Sequence, residues 1–181
     1  MKPFSTMTEG EAERFMSSKE RHRVYAVMAR MVGSASVIDL GCGRGIQVGR
    51  YTQDQYYGVD ASPELIKLAR RDNPGYKFDV LGIEDVMPMG HEFGIMKSVL
   101  EHQPALEDAI AIYEHSLTLC GTLIVSWHTP PVYDTTTIMR VKAELDEPIF
   151  QNHYREGSFE VPGVQVKTSH VDGVTLWTVS S

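Results

Sequence analysis

The run Val37-Ile38-Asp39-Leu40-Gly41-Cys42-Gly43-Arg44-Gly45 constrains this chain more than any other segment. A short apolar stretch, Ser36 to Leu40, reads as a buried strand. The glycines that follow read as a tight turn, and Ile46 to Thr52 as the start of a helix. Gly41 and Gly43 let the backbone pass close to a ligand that a side chain would exclude. Cys42, between them, keeps the turn small. A strand, a glycine turn and a helix in that order belong to an open α/β sheet, which binds nucleotide-like ligands at this place.

The rest of the chain supports such a sheet. Phe15, Val24, Tyr25, Val27, Met28 and Met31 form an apolar stripe at helical spacing between Glu11 and Met31, which Gly33 and Ser34 end. Tyr56 to Val59 is a second strand. Ser62-Pro63-Glu64 opens a helix: serine caps the free amides, proline suits the first helical position, and glutamate suits the positive end. Tyr76 to Leu81, Phe93 to Val99 and Thr122 to Trp127 are further strands, and Pro104 to Leu119 is a long helix. Alternating strands and helices predict a parallel sheet covered on both faces. A further helix is expected from about Thr135 to Leu145. Val164 to Ser169 and Val174 to Val179 alternate around Asp172-Gly173, a hairpin signal. The expected fold is therefore α/β: a Rossmann-like, mostly parallel seven-stranded sheet with helices on both faces and a C-terminal antiparallel hairpin.

Two ligand classes compete for the glycine turn. The dinucleotide fingerprint is G-x-G-x-x-G, whereas here Gly41-Cys42-Gly43-Arg44-Gly45-Ile46 brings the third glycine one residue early. Asp39 precedes the turn by two residues. A carboxylate there suits a ligand with an ammonium group and opposes a pyrophosphate. Tyr57-Gly58-Val59-Asp60 supplies a second acid at the end of the second strand, where a carboxylate can accept both hydroxyls of a ribose. These differences favour S-adenosylmethionine over NAD.

On these residues the chain resembles the class I S-adenosylmethionine-dependent methyltransferases in their small, single-domain form. Val37 to Gly45 resembles the family's first motif. Gly58-Val59-Asp60-Ala61-Ser62-Pro63-Glu64-Leu65-Ile66-Lys67-Leu68-Ala69-Arg70 resembles its second. Ser98-Val99-Leu100-Glu101-His102 resembles the segment after the fourth strand, and Leu123 to Pro131 the fifth strand and its exit. The resemblance implies that Gly41, Cys42 and Gly43 lie along the methionine part of the cofactor, and that Asp39 helps to hold its amino group. It implies that Asp60 takes the ribose hydroxyls, that Ala61 leaves room beside the adenine, and that Ser98 faces the methionine end. Two positions depart from the family pattern. The usual acidic and small pair after the third strand is Gly82-Ile83, leaving the Ile83 amide and Glu84 or Asp85 to read the adenine edge. The usual aromatic-Asp pair opening the fourth strand is Phe93-Gly94.

Methyl transfer from a sulfonium requires alignment and exclusion of water, and a general base only where the acceptor is protonated. His102, after the fourth strand, and His128, at the exit of the fifth, are the base candidates. The net charge of -7 argues against nonspecific nucleic-acid binding. The cluster Arg14, Lys19, Arg21 and Arg23 is the best basic patch, and its ordinary role is a solvated helix face. A small-molecule acceptor, methylated on oxygen, nitrogen or carbon, is thus expected. The alternatives are a nucleic-acid or protein methyltransferase and an inactive S-adenosylmethionine-binding subunit. The seven histidines show no metal-ligand spacing, so no metal is expected. Cys42 and Cys120 read as reduced thiols of a cytoplasmic protein. No apolar run approaches the roughly 18 residues of a membrane span. One domain is expected over 1–181: an N-terminal arm and helix at 1–31, a cofactor-binding core at 32–131, and an acceptor-side segment with the hairpin at 132–181.

Overall fold

The computed structural model describes residues 6, 8, 10–11, 19–126, 135–138, 150–153, 159, 161–171 and 174–180. Helix α1 (Lys19–Val32) precedes strand β1 (Val37–Leu40). Strand β2 (Tyr56–Asp60), helix α2 (Pro63–Asp72) and strand β3 (Lys77–Val80) follow. Strand β4 (His91–Lys97), helix α3 (Leu106–Leu119) and strand β5 (Cys120–Ser126) come next. Strands β6 (Thr135–Ile138), β7 (Phe150–His153), β8 (Gln165–Val171) and β9 (Val174–Ser180) follow in turn. Seven strands form one sheet in the order β3-β2-β1-β4-β5-β9-β8. Strands β3, β2, β1, β4 and β5 pair in parallel, whereas β9 is antiparallel to both β5 and β8. The expected mostly parallel seven-stranded sheet with a terminal hairpin is thus present. The hairpin's Asp172-Gly173 lies outside the described residues.

Side chains alternate across the parallel strands and build two cores. Val37, Ile95 and Ile124 face Val24, Val27 and Met28 of α1 and Ile66 and Ala69 of α2. Ile38, Leu40, Met96, Leu123 and Val125 face Ala109, Tyr113 and Leu119 of α3. Full burial of each large aliphatic chain contributes about 1.5–3 kcal/mol. Helix α2 starts as its sequence dictates: Ser62 Oγ accepts the Leu65 amide at 3.3 Å, and Pro63 is its first residue. A cap of this kind is worth about 1 kcal/mol.

Two expected helices take other forms. Ile46 to Thr52 contains only a single 3-10 turn, Val48–Arg50. Gly49 disfavours an α-helix there, and only fifteen residues join β1 to β2. Thr135 to Ile138, expected to begin a helix, is strand β6, paired antiparallel with β7. Three threonines and an isoleucine are all β-branched, and tertiary pairing favours the extended form for them. Residues 139–145 lie outside the described residues.

Candidate functional site

The carboxyl ends of β1, β2 and β4 meet at one edge of the sheet, and the glycine turn leaves from the central one. Gly41, Gly43 and Gly45 all have positive φ, at 77°, 56° and 69°. A Cβ on Gly41 would also lie 2.6 Å from Val99 Cγ2. Glycine at 41 is therefore required both by its left-handed backbone and by the close approach of the chain leaving β4.

Asp60 organises this turn. Its Oδ2 accepts the Gly43 amide at 2.8 Å and its Oδ1 accepts the Ser62 amide at 2.9 Å. One carboxylate thus ties the glycine turn to the start of α2. Burial raises its pKa, and the two amides oppose that rise. Each oxygen keeps a further lone pair that can accept a ligand hydroxyl. Ala61, beside it, is exposed. The turn is also fastened from outside: Arg44 pairs with Asp72 at 2.5 Å, and Asn73 Nδ2 donates to the Arg44 carbonyl at 3.4 Å.

Asp39 lies deeper, on the α1 side of the sheet, and is 1% exposed. Its Oδ2 accepts both the Tyr56 hydroxyl and the Gln47 amide nitrogen. Burial lifts its pKa to about 7; the two hydrogen bonds lower it, and the Asp60 charge adds to the rise. Tyr51 stacks on Tyr56 at 5.5 Å. Burial pushes the Tyr51 and Tyr56 hydroxyls further from ionisation, as does the Asp39 charge. Two buried polar atoms in this group have no protein partner: Gln47 Oε1 and the Tyr51 hydroxyl. Each such atom costs about 1–3 kcal/mol unless something meets it. The Cys42 side chain turns away into the core, its thiol donating to the Gly43 carbonyl at 3.6 Å. The Cys42 and Gly41 amides both donate to the Val59 carbonyl at 2.9 Å. Burial holds the Cys42 thiol neutral, well above its ordinary pKa.

The third and fourth strands explain the two departures from the family pattern. A Cβ on Gly82 would lie 2.7 Å from the Glu84 carboxyl carbon and 2.7 Å from its Oε1. Glu84 therefore folds back over Gly82, into the space an acidic side chain at 82 would occupy. Ile83 is buried, at the start of the 3-10 turn Ile83–Asp85. A Cβ on Gly94 would lie 2.7 Å from the Cys120 sulfur and 3.0 Å from Leu123. Packing against β5 thus excludes a side chain at 94.

The exit of β4 is strained. Ser98 has φ 53°, the only positive value for a non-glycine among the described residues. Its amide donates to the Ser126 carbonyl at 2.8 Å, and Lys97 Nζ donates to its hydroxyl at 2.9 Å. A left-handed serine costs roughly 1–2 kcal/mol, and such strain gathers at functional sites. The turn Leu100–His102 follows, with β7 beside it. His102 is half-buried there and Glu101 is buried. His128 lies outside the described residues.

The structure therefore brings Gly41, Gly43, Asp60, Ala61 and Ser98 to one edge, and sends the Cys42 side chain elsewhere. Sequence reasoning missed Gln47, Tyr51, Tyr56 and Lys97. Strand alternation carries a signal for Tyr56: it sits on β2 opposite Val37, two residues before Gly58, which pairs with Asp39. Gln47 carried none, because the turn that swings it back to Asp39 is irregular. Among the described residues, no group of three or more His, Cys, Asp or Glu could hold a metal ion. Nor is any described helix long and apolar enough to cross a membrane.

Residues 38–125 match a family model described as a methyltransferase domain. A trans-aconitate 2-methyltransferase from Methylobacterium nodulans is 33% identical over 90 residues, covering 45% of this chain and 35% of that protein. The chain thus spans about a third of the length of that curated relative. Among solved structures, magnesium protoporphyrin IX methyltransferase from Synechocystis PCC 6803, with bound S-adenosylmethionine, has a TM-score of 0.63 at 18% identity. That match covers 93% of this chain and 79% of that one. An amino pentose methyltransferase from Micromonospora echinaspora, also with bound S-adenosylmethionine, has a TM-score of 0.68 at 13% identity and covers 93% of each chain. Over residues 38–125 the chain is thus similar to the methyltransferase domain family, and its fold is shared with these S-adenosylmethionine-bound methyltransferases.

Proposed function

We propose that this chain is an S-adenosylmethionine-dependent methyltransferase acting on an oxygen, nitrogen or carbon of a small molecule. The observation that carries this reading is the Asp60 carboxylate, held by the Gly43 and Ser62 amides at the end of β2, directly beside the glycine turn. Such a carboxylate is oriented before any ligand arrives and still has lone pairs for two ribose hydroxyls. The donor set fits the cofactor at each end. Asp39 supplies a buried acid for the ammonium group, and the bare backbone of Gly41 and Gly43 leaves space along the methionine part. Cys42 contributes its backbone alone. Exposed Ala61 leaves a flat approach for the adenine, whose edge meets the Ile83 amide and the Glu84 carboxylate that has folded over Gly82.

S-adenosylmethionine supplies a methyl group on a positively charged sulfur, already activated for displacement. The residues of the chain bind and align it, and exclude water. Ser98 bounds the methionine end. His102 takes the acceptor's proton where the acceptor is protonated at working pH, and His128 is the second candidate for that role. The N-terminal helix and residues 132–163 are proposed to cover the acceptor side of a single domain. The acidic composition and the small-molecule substrates named for the relatives support a small acceptor in a cytoplasmic protein, without nucleic acid or membrane. Calorimetry with S-adenosylmethionine and S-adenosylhomocysteine tests the reading first. A screen of small-molecule acceptors with labelled donor then tests the transfer. Binding of both cofactors, with label moving to a small acceptor, is the expected result; absence of binding by either overturns the reading.

A further inference from the structure

The polar group around Asp39 contains an atom whose position the fold alone does not account for. Gln47 is 1% exposed and sits inside the protein. Its Nε2 donates to Asp39 Oδ2, which turns its Oε1 away from that carboxylate. Oε1 is buried and meets no donor in the protein. A buried amide oxygen is an acceptor of full strength and is rarely left unmatched. The nearby Tyr51 hydroxyl is also buried without a partner, so the two do not satisfy each other. Asp39 has no basic side chain among its hydrogen-bond partners; both are neutral donors. An acid and an unmatched acceptor, side by side and shielded from water, form a receptor for a group with several N–H donors and a positive charge.

We propose that Gln47 Oε1 is a direct acceptor for the ammonium group at the amino-acid end of the cofactor, with Tyr56 as a positioning residue that holds Asp39 beside it. This rests on the reading that the chain binds S-adenosylmethionine. The division of labour follows from the geometry. Gln47 faces two ways: its nitrogen steadies Asp39 and its oxygen meets the ligand. The Tyr56 hydroxyl bonds to Asp39 alone. Burial places the Asp39 carboxyl near half-ionisation at neutral pH, and a bound cation beside it would keep it ionised.

The test is a cycle between protein and ligand, read by calorimetry rather than turnover. The ligands are S-adenosylhomocysteine and its desamino analogue, which lacks the ammonium group. The proteins are wild type, Gln47→Met and Tyr56→Phe. A charge-assisted hydrogen bond corresponds to about a tenfold change or more. Gln47→Met is therefore expected to lose about tenfold or more in affinity for S-adenosylhomocysteine, yet to bind the desamino analogue as wild type does. Tyr56→Phe is expected to show a clearly smaller preference change, because it removes a bond to Asp39 and no bond to the ligand. Equal losses on both ligands in Gln47→Met, no loss on either, or an equal preference change in Tyr56→Phe would each overturn the direct contact. If wild type binds neither S-adenosylmethionine nor S-adenosylhomocysteine, the underlying reading fails, and the inference with it. Should Gln47→Met fold poorly, Gln47→Glu keeps an oxygen and loses the amide donor. Retained preference for the amino ligand in that variant supports the contact, and its loss overturns it.

Discussion

The two turns that flank the candidate site are built on different physics. The turn after β1 is stabilised by acceptors: Asp60 gathers two backbone amides, and Asp39 gathers a hydroxyl and an amide. Its left-handed positions are all glycines. The turn after β4 is held against its own preference, with Ser98 in the left-handed region and secured by the Ser126 carbonyl and the Lys97 ammonium. One turn is relaxed and polar; the other stores strain. On the proposed reading, the first turn takes the cofactor and the second bounds its methionine end, next to where the acceptor arrives.

The sharpest way to break this contrast is Asp60→Ala. It strands the Gly43 and Ser62 amides, at about 1–3 kcal/mol each, and removes the proposed acceptor for the ribose. Cofactor affinity should fall by about a hundredfold or more, and the denaturation midpoint should drop with it. Unchanged affinity would show that the first turn does not depend on its acid. Gly41→Ala comes next. The left-handed backbone and the approach to Val99 together should destabilise the protein by about 2–4 kcal/mol in chemical denaturation. Adding Val99→Ala should return only the steric share.

Asp39→Asn separates charge from shape. The folded Asp39 value of about 7 lies above the ordinary 3.8, so folding takes up a proton between those values. Its stabilising contribution is full below about pH 4 and is lost as pH rises towards 7. The neutral amide should therefore raise stability by about 1–3 kcal/mol at pH 8, with the difference vanishing near pH 4. Cofactor affinity should fall in the same variant. His91, at the amino end of β4, acts in the opposite sense: burial lowers its pKa from 6.5, so its contribution fades as pH falls below that value. The pH series should be read in an Asp39 pair that shares this His91 background. Ser98→Gly is the smallest expected effect. Relief of strain should outweigh the added chain entropy and stabilise the protein by about 0.5–1 kcal/mol. A loss of stability would show that Ser98 is held by its hydroxyl rather than strained.

Legibility in the sequence followed the same division. The first turn could be read because its demands are local. Glycine at 41 and 43, Asp60 at a strand end, and Ser62-Pro63 at a helix start are each imposed by the backbone within a few residues. The second turn could not, because nothing in Lys97-Ser98 announces a left-handed serine; the β5 carbonyl that holds it comes from Ser126. Thr135 to Ile138 failed for a related reason. Its helical reading ignored that the segment finds a partner strand at 150–153. The segment after β3 is half legible: Gly82 visibly lacks the acid of the family pattern, and Glu84 is among the candidates to replace it. Only the folded chain shows Glu84 lying back over Gly82.

The sequence by itself determined the strands of the seven-stranded sheet and the helices between β2 and β5, the hairpin at the end of that sheet, and the acids beside the glycine turn. These depend on side-chain period and on backbone freedom, both of which act over short stretches of chain. The tertiary structure alone decided which atoms surround those acids. Tyr56 and Gln47 reach Asp39 from 17 and 8 residues away. The glycine run therefore has more behind it than space for a ligand: it returns Gln47 to the acid that precedes it. Burial then sets the chemistry, since only the packed fold removes the water that would otherwise keep Asp39 an ordinary carboxylate.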